Sequence, residues 1–190
     1  MKAIAFNLIN LGMLPHKKVL LTSFQTWLPH HTSNAADDLL IELAKHQDSL
    51  PYSLTFLRQL PVDIPQASDR VLAEINTLQP DVIICCGMAE KREKMAIESN
   101  ATCGNEVLKT PVNLEHLILD LTATEISHDA GKFVCEGLYY SVLEYVRDRH
   151  INSPCIFLHV PILTATNLAT ILADTQLILQ KITTSQFLQT

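Results

Sequence analysis

Two stretches of this chain carry residues able to break an acyl bond. In residues 127–135 (SHDAGKFVC) a turn with Asp129 and Gly131 leads into a run of helical spacing, which places Cys135 near a helix N-terminus. The partial positive charge and unpaired N–H groups at such an end favour thiolate over thiol, so the expectation is an activated nucleophile. In residues 155–161 (CIFLHVP) His159 stands at the carboxyl end of a buried strand, two residues before Pro161. Ligand sites of open α/β sheets gather at that end, and an imidazole there can take a proton from a thiol and return it to a leaving amine. Each residue also has a plainer reading, Cys135 as helix core and His159 as a core histidine bonded to a backbone carbonyl.

Other chemistries find no support in the residues. The glycines Gly12, Gly87, Gly104, Gly131 and Gly137 form no G-x-G-x-x-G, no phosphate-cradling loop and no G-x-S-x-G elbow. The eight histidines include the adjacent, exposed-looking His30 and His31 but no H-E-x-x-H or other zinc spacing, so neither metal nor cofactor is expected. With 14 Lys and Arg against 20 Asp and Glu, the net charge of -6 lacks the basic excess that nucleic acid or an anionic membrane would require. Five cysteines without a C-x-x-C pair, three of them in apolar runs, suit a reducing, cytoplasmic compartment.

The elements that must position Cys135 and His159 can be read from patterning. At 190 residues, 47% hydrophobic and 18% charged, the chain suits a globular protein with one sizeable core. Short β-branched apolar runs at residues 19–22, 54–60, 81–87 and 155–160 suit parallel strands buried on both faces. Between them, helical spacing is set by Leu39, Leu40 and Leu43, by Val71, Ile75 and Leu78, by Leu138, Val142 and Val146, and by Ile171, Ile178 and Ile182. Asn34 and Asp63 stand as N-caps, with Pro65 in the first turn of the second helix. This alternation predicts an α/β sandwich around a mostly parallel sheet. Residues 88–125 break the rhythm and read as a long loop, functional or mobile, with a short helix at 117–121 and a strand at 122–126. Residues 18–190 read as a single domain, and residues 1–17 as an extension or an upstream start, with Met13 the alternative start. The apolar opening segment, too short to span a bilayer, is one candidate contact for a homo-oligomer.

From residue 18 to about 182 the chain resembles the pyroglutamyl peptidase I (pyrrolidone-carboxylate peptidase) family of cysteine peptidases. The resemblance is carried by KVLLTSF at 18–24, LPV at 60–62, QPDVIICCG at 79–87, AGKFVC at 130–135 with LYY at 138–140, and HVP at 159–161. It implies a phosphorylase/hydrolase-like three-layer α/β sandwich and a Cys, His, Glu triad that removes N-terminal pyroglutamate from peptides blocked at that end. Carried over by position, Cys135 is the nucleophile, His159 the base and Glu98 the orienting carboxylate; without the resemblance Glu98 would read as an ordinary surface acid. Phe24 and Trp27 match the aromatic positions of the family's F-x-P-F-G-G loop, and Phe133 and Val134 those just before the nucleophile, so these four are expected to bind substrate.

The departures from the family cluster in recognition elements. Thr26, Leu28 and Pro29 replace a proline and two glycines of the aromatic loop, and G-Q-A-G-G-R becomes GMAEKR at 87–92, placing Met88 at a substrate-facing glutamine position. The family's active-site arginine falls on Leu108, with Lys109 beside it. Loss of an oxyanion donor costs about 2.7–4 kcal/mol in the barrier. Three readings follow: a pyroglutamyl peptidase with an altered pocket, a cysteine amidohydrolase of different N-terminal specificity, or a non-catalytic member serving as a binding module.

Overall fold

The computed structural model describes residues 16–184. Except for His16 and Lys17, the segment read as an extension or upstream start, including Met13 and the apolar stretch proposed as an oligomer contact, lies outside the described residues. The elements in chain order are β1 (Lys18–Phe24), α1 (Ala35–Ala44), β2 (Ser53–Leu60), α2 (Ile64–Leu78), β3 (Val82–Met88), β4 (Met95–Glu98), β5 (Asn100–Cys103), β6 (Glu106–Lys109), α3 (Leu114–Leu117), β7 (Thr124–Ser127), α4 (Val134–Asp148), β8 (Cys155–Val160) and α5 (Leu168–Thr183). Six strands form one sheet in the order β2-β1-β3-β8-β4-β7, while β5 and β6 make a separate hairpin. All pairings in the main sheet are parallel except β4 with β8. The predicted α/β architecture is therefore the observed one.

Both predicted caps are made. Asn34 accepts from the Ala36 amide and Asp63 from the Gln66 amide, each satisfying a donor that the first helical turn leaves free. Strand alternation then sorts the core into two halves. Val19, Leu21, Ile84, Ile156 and Leu158 pack with α1 and α5 on one face. Leu20, Ile83, Cys85, Cys155 and Phe157 pack with α2 and α4 on the other. Cys85, Cys86 and Cys155 are buried, and all five cysteines are free thiols.

Two expectations change. The run at 54–60 forms β2 at the sheet edge, and of its residues only Leu60 is fully buried. Leu54 and Phe56 pack against the α1/α5 core and Leu57 and Leu60 against the α2/α4 core, so the apolar run is covered on both faces and its exposure comes from the unpaired edge. The stretch read as a long loop holds more order than its composition suggests: β4 enters the main sheet, the β5–β6 hairpin packs beside α4, and the short helix lies at Leu114–Leu117 rather than 117–121. β4 is legible afterwards as alternation, with Met95 and Ile97 in the α1/α5 core while Ala96 and Glu98 turn to the α4 side.

Candidate active site

The register of three strands assembles the polar centre. β4 runs antiparallel to β8 with Glu98 opposite Phe157 and Ala96 opposite His159, so Glu98 and His159 lie diagonally on the α4 face. Glu98 Oε1 meets His159 Nδ1 at 2.7 Å. Glu98 is fully buried and His159 only 6% exposed. An ionised carboxylate can only accept, so the contact calls for the proton on Nδ1, and in the neutral imidazole Nε2 then keeps its lone pair, the form needed in a base. Phe157 holds the ring from below, centroid to centroid 4.9 Å, and the Tyr139 hydroxyl donates to the Glu98 carbonyl.

On the other side of β8, His159 is the parallel register partner of Gly87 on β3. A Cβ placed on Gly87 would lie 2.6 Å from Cys135 Sγ and 3.0 Å from Phe157 Cζ. The thiol thus rests on bare backbone at Gly87. Because register partners project to the same face on strands about 4.8 Å apart, thiol and imidazole sit side by side there. Gly87 is a site requirement that no motif scan singled out, although its position at the carboxyl end of a buried strand was a usable signal.

Cys135 is the second residue of α4, where its own N–H has no partner within the helix and can serve an oxyanion. The turn before it is built as expected, with Asp129 accepting from the Gly131 amide and Gly131 at φ +92. The thiol itself departs from expectation. Burial, reinforced by the Glu98 and Cys85 charges, pushes it up to about 12, and the contact with its own backbone N–H opposes this only in part. The helix end lowers the cost of a thiolate, but removal from water outweighs it.

All five residues expected to contact substrate line one cleft with Cys135. Phe24, Trp27, Met88, Phe133 and Val134 are joined by Leu28 and Val62 on its apolar wall and by Gln25, His31, Asn34 and Glu90 at its polar edge, around about 510 Å³ that includes the open mouth. Phe24 and Val134 are buried, whereas Trp27 and Phe133 are 55% and 48% exposed and meet at 4.7 Å between ring centroids across the entrance. The Met88 sulfur, in place of a side-chain amide, accepts from the Ala35 amide at the start of α1. That helix is anchored beneath the entrance by Asp37, which accepts from Ser23 and from two guanidinium nitrogens of Arg58. Burial alone would raise the Asp37 carboxyl, but these donors more than offset it and hold the group below its ordinary value.

Leu108 and Lys109, where position counting puts the missing arginine, lie on β6 and line a different groove with Pro111, Leu143 and Arg147. The cation at the polar centre is instead Arg92. Its Nη2 reaches Glu98 Oε1, the oxygen that also meets His159, at 3.3 Å and Ser127 Oγ at 2.9 Å, while Glu98 Oε2 is buried without a partner. Sequence reading passed over Arg92 as the last residue of a degraded motif.

Known proteins resemble this chain in sequence and in fold. The chain is 29% identical to a pyrrolidone-carboxylate peptidase of Vibrio vulnificus over 77% of its own length and 79% of the relative's. It is 25% identical to that of Brevibacillus brevis over the same shares. No family model matches the chain. Among solved structures it is similar to pyroglutamyl peptidase I from Bacillus amyloliquefaciens, with a TM-score of 0.77 and 20% identity over 89% of this chain and 96% of that one. It is also similar to the pyrrolidone carboxyl peptidase of Fervidobacterium islandicum, with a TM-score of 0.77 and 19% identity over 90% and 100%.

Proposed function

We propose that this chain, which belongs to the pyrrolidone-carboxylate peptidase family as a distant member, is a cysteine peptidase that removes pyroglutamate from the N-terminus of peptides. The observation that carries the reading is the buried Glu98–His159 pair on one sheet face beside a thiol seated over Gly87. In the first step the Cys135 sulfur forms a bond to the carbonyl carbon of the blocked residue, its proton passes to His159 Nε2, and the carbonyl electrons move to oxygen. The Cys135 backbone N–H donates to that oxyanion. Collapse breaks the C–N bond, His159 returns the proton to the departing amine, and a thioester remains. Water, deprotonated by His159, then attacks the thioester and releases pyroglutamate and the thiol. Glu98 keeps the imidazole in the required tautomer and stabilises its cationic form, and Arg92 holds Glu98 in turn.

The raised thiol favours attack coupled to proton transfer to His159 over a preformed ion pair. The apolar cleft suits a small neutral lactam. One observation favours a second reading, a cysteine amidohydrolase for a different N-terminus: Met88 supplies a thioether instead of an amide, and the Glu90 carboxylate at the cleft edge suits a cationic amine better than a lactam. Hydrolysis of a pyroglutamyl-coumarin amide under reducing conditions, run beside Cys135→Ser, tests the choice. Turnover abolished in the variant, with Tm within about 2–4 °C of wild type, supports the peptidase reading. A thiol that reacts with alkylating agent while the reporter stays intact supports the second. A folded protein with neither property is a binding module.

A further inference from the structure

Outside the triad, the structure brings a glutamate up to two adjacent histidines that precede it by about sixty residues. His30 and His31 occupy the turn after Trp27, closed by the His31 amide donating to the Leu28 carbonyl, and Glu90 follows β3. His31 Nε2 lies 2.5 Å and His30 Nε2 3.4 Å from the same Glu90 oxygen, Oε2. Taking one donor atom from each residue, the three donors lie within 4.8 Å of one another. The rings meet edge to face at 4.3 Å, so both imidazoles present Nε2 to one point. The His31 side chain is only 6% exposed, and its Nδ1 is buried with no partner, so its one polar anchor is at the Nε2 end.

We propose that His30, His31 and Glu90 form a binding site for one divalent transition-metal ion of the Zn²⁺ class, which clamps the Trp27 loop to the segment after β3 at the mouth of the cleft. Two imidazole nitrogens and one carboxylate oxygen match the donor preference of that ion. Zn²⁺ bonded tetrahedrally at about 2.0–2.1 Å sets neighbouring ligand atoms about 3.3 Å apart. His30 and Glu90 already have that spacing, and the partly exposed Glu90 needs a small rotation to open its 2.5 Å contact with His31. The fourth position is left for water or a substrate group. His31, Met88 and Glu90 line both the Cys135 cleft and an adjoining groove that holds Asp38, so the ion would stand on the ridge between them with further negative charge nearby. Bound there, it joins the loop carrying Trp27 and Leu28 to the segment leading to Arg92 and Glu98, and so sets how rigidly the cleft is held. The site is independent of what the cleft hydrolyses.

The test uses the full chain carrying Cys135→Ser and Cys103→Ser, which removes the cleft thiol and the exposed thiol as competing ligands. After chelator treatment it is titrated with ZnCl₂ alone by calorimetry and melted with and without the ion. One equivalent should bind, and a hundredfold excess over Kd should raise Tm by about 5–10 °C. His30→Ala and Glu90→Gln should each weaken binding by more than about tenfold and abolish the Tm rise. The His30 side chain is 65% exposed, so its removal leaves the metal-free Tm within about 2–4 °C of the parent. No binding in the parent, or binding that survives both substitutions unchanged, overturns the proposal.

Discussion

The floor of the candidate site and its entrance are built by different rules. The floor is made from strand ends and a helix start: Gly87 on β3, Glu98 on β4, His159 on β8 and Cys135 on α4, with the carboxylate fully buried and the imidazole nearly so. The entrance is made from the loop carrying Trp27 to His31 and the segment holding Glu90, with half-exposed aromatics and hydrogen bonds among surface side chains. Residues matching the family persist on the floor, while at the entrance the aromatic positions Trp27 and Phe133 are kept and Thr26, Leu28, Pro29 and Met88 depart from it. A change on the floor strands a buried charge or displaces the thiol, at a cost of several kcal/mol. A change at the entrance alters which ligand fits while leaving the core untouched. The polar floor is thus constrained by folding as well as by whatever chemistry it performs, and the entrance mainly by its ligand.

The largest break in that contrast should come from Glu98→Gln. An amide allows the wrong imidazole tautomer, and kcat for the pyroglutamyl reporter should fall by about 10⁴-fold in a protein whose circular dichroism is unchanged. A fall of less than tenfold would remove Glu98 from the mechanism. The raised thiol makes a second prediction. Its pKa lies above the ordinary cysteine value, so the thiolate fraction rises tenfold per pH unit throughout the neutral range, and iodoacetamide alkylation of Cys135 should increase about a hundredfold from pH 7 to 9 without levelling. A plateau near neutrality would mean a preformed thiolate–imidazolium pair instead.

Gly87→Ala tests whether the thiol needs bare backbone. The added methyl meets Sγ at 2.6 Å and the Phe157 ring at 3.0 Å, so kcat should fall by about 10²-fold, with about 1–3 kcal/mol lost from stability by denaturant titration. Activity equal to wild type would show that the sulfur occupies a different position during turnover. The smallest effect belongs to the entrance: Met88→Gln restores an amide to the cleft and should raise kcat/KM for the reporter by about two- to tenfold, mainly through KM. A loss in that assay would count for the amidohydrolase reading.

The comparison also separates what patterning could read from what it could not. The Asn34 and Asp63 caps were legible because each bond joins residues two or three apart. The core strands of the sheet were legible because burial on both faces leaves an unbroken apolar run in β1, β3 and β8. β4 was missed because four residues, one a carboxylate, make too short a pattern amid charged neighbours. The expectation of an activated thiol rested on the local field of the helix end, whereas burial by residues distant in sequence pushes the thiol the other way.

By itself the sequence determined the α/β alternation, the helix starts and, through AGKFVC and HVP, the thiol and imidazole positions, because these depend on local bonds and on runs of residues sharing one environment. Tertiary structure decided that Glu98 lies against His159, 61 positions along the chain, that Arg92 braces it, that Gly87 leaves room for the sulfur, and that Glu90 meets His30 and His31. Each of those contacts depends on the register between strands or on where a loop returns. Register is set when both partners pack against the same helices, and no short window of sequence contains both partners.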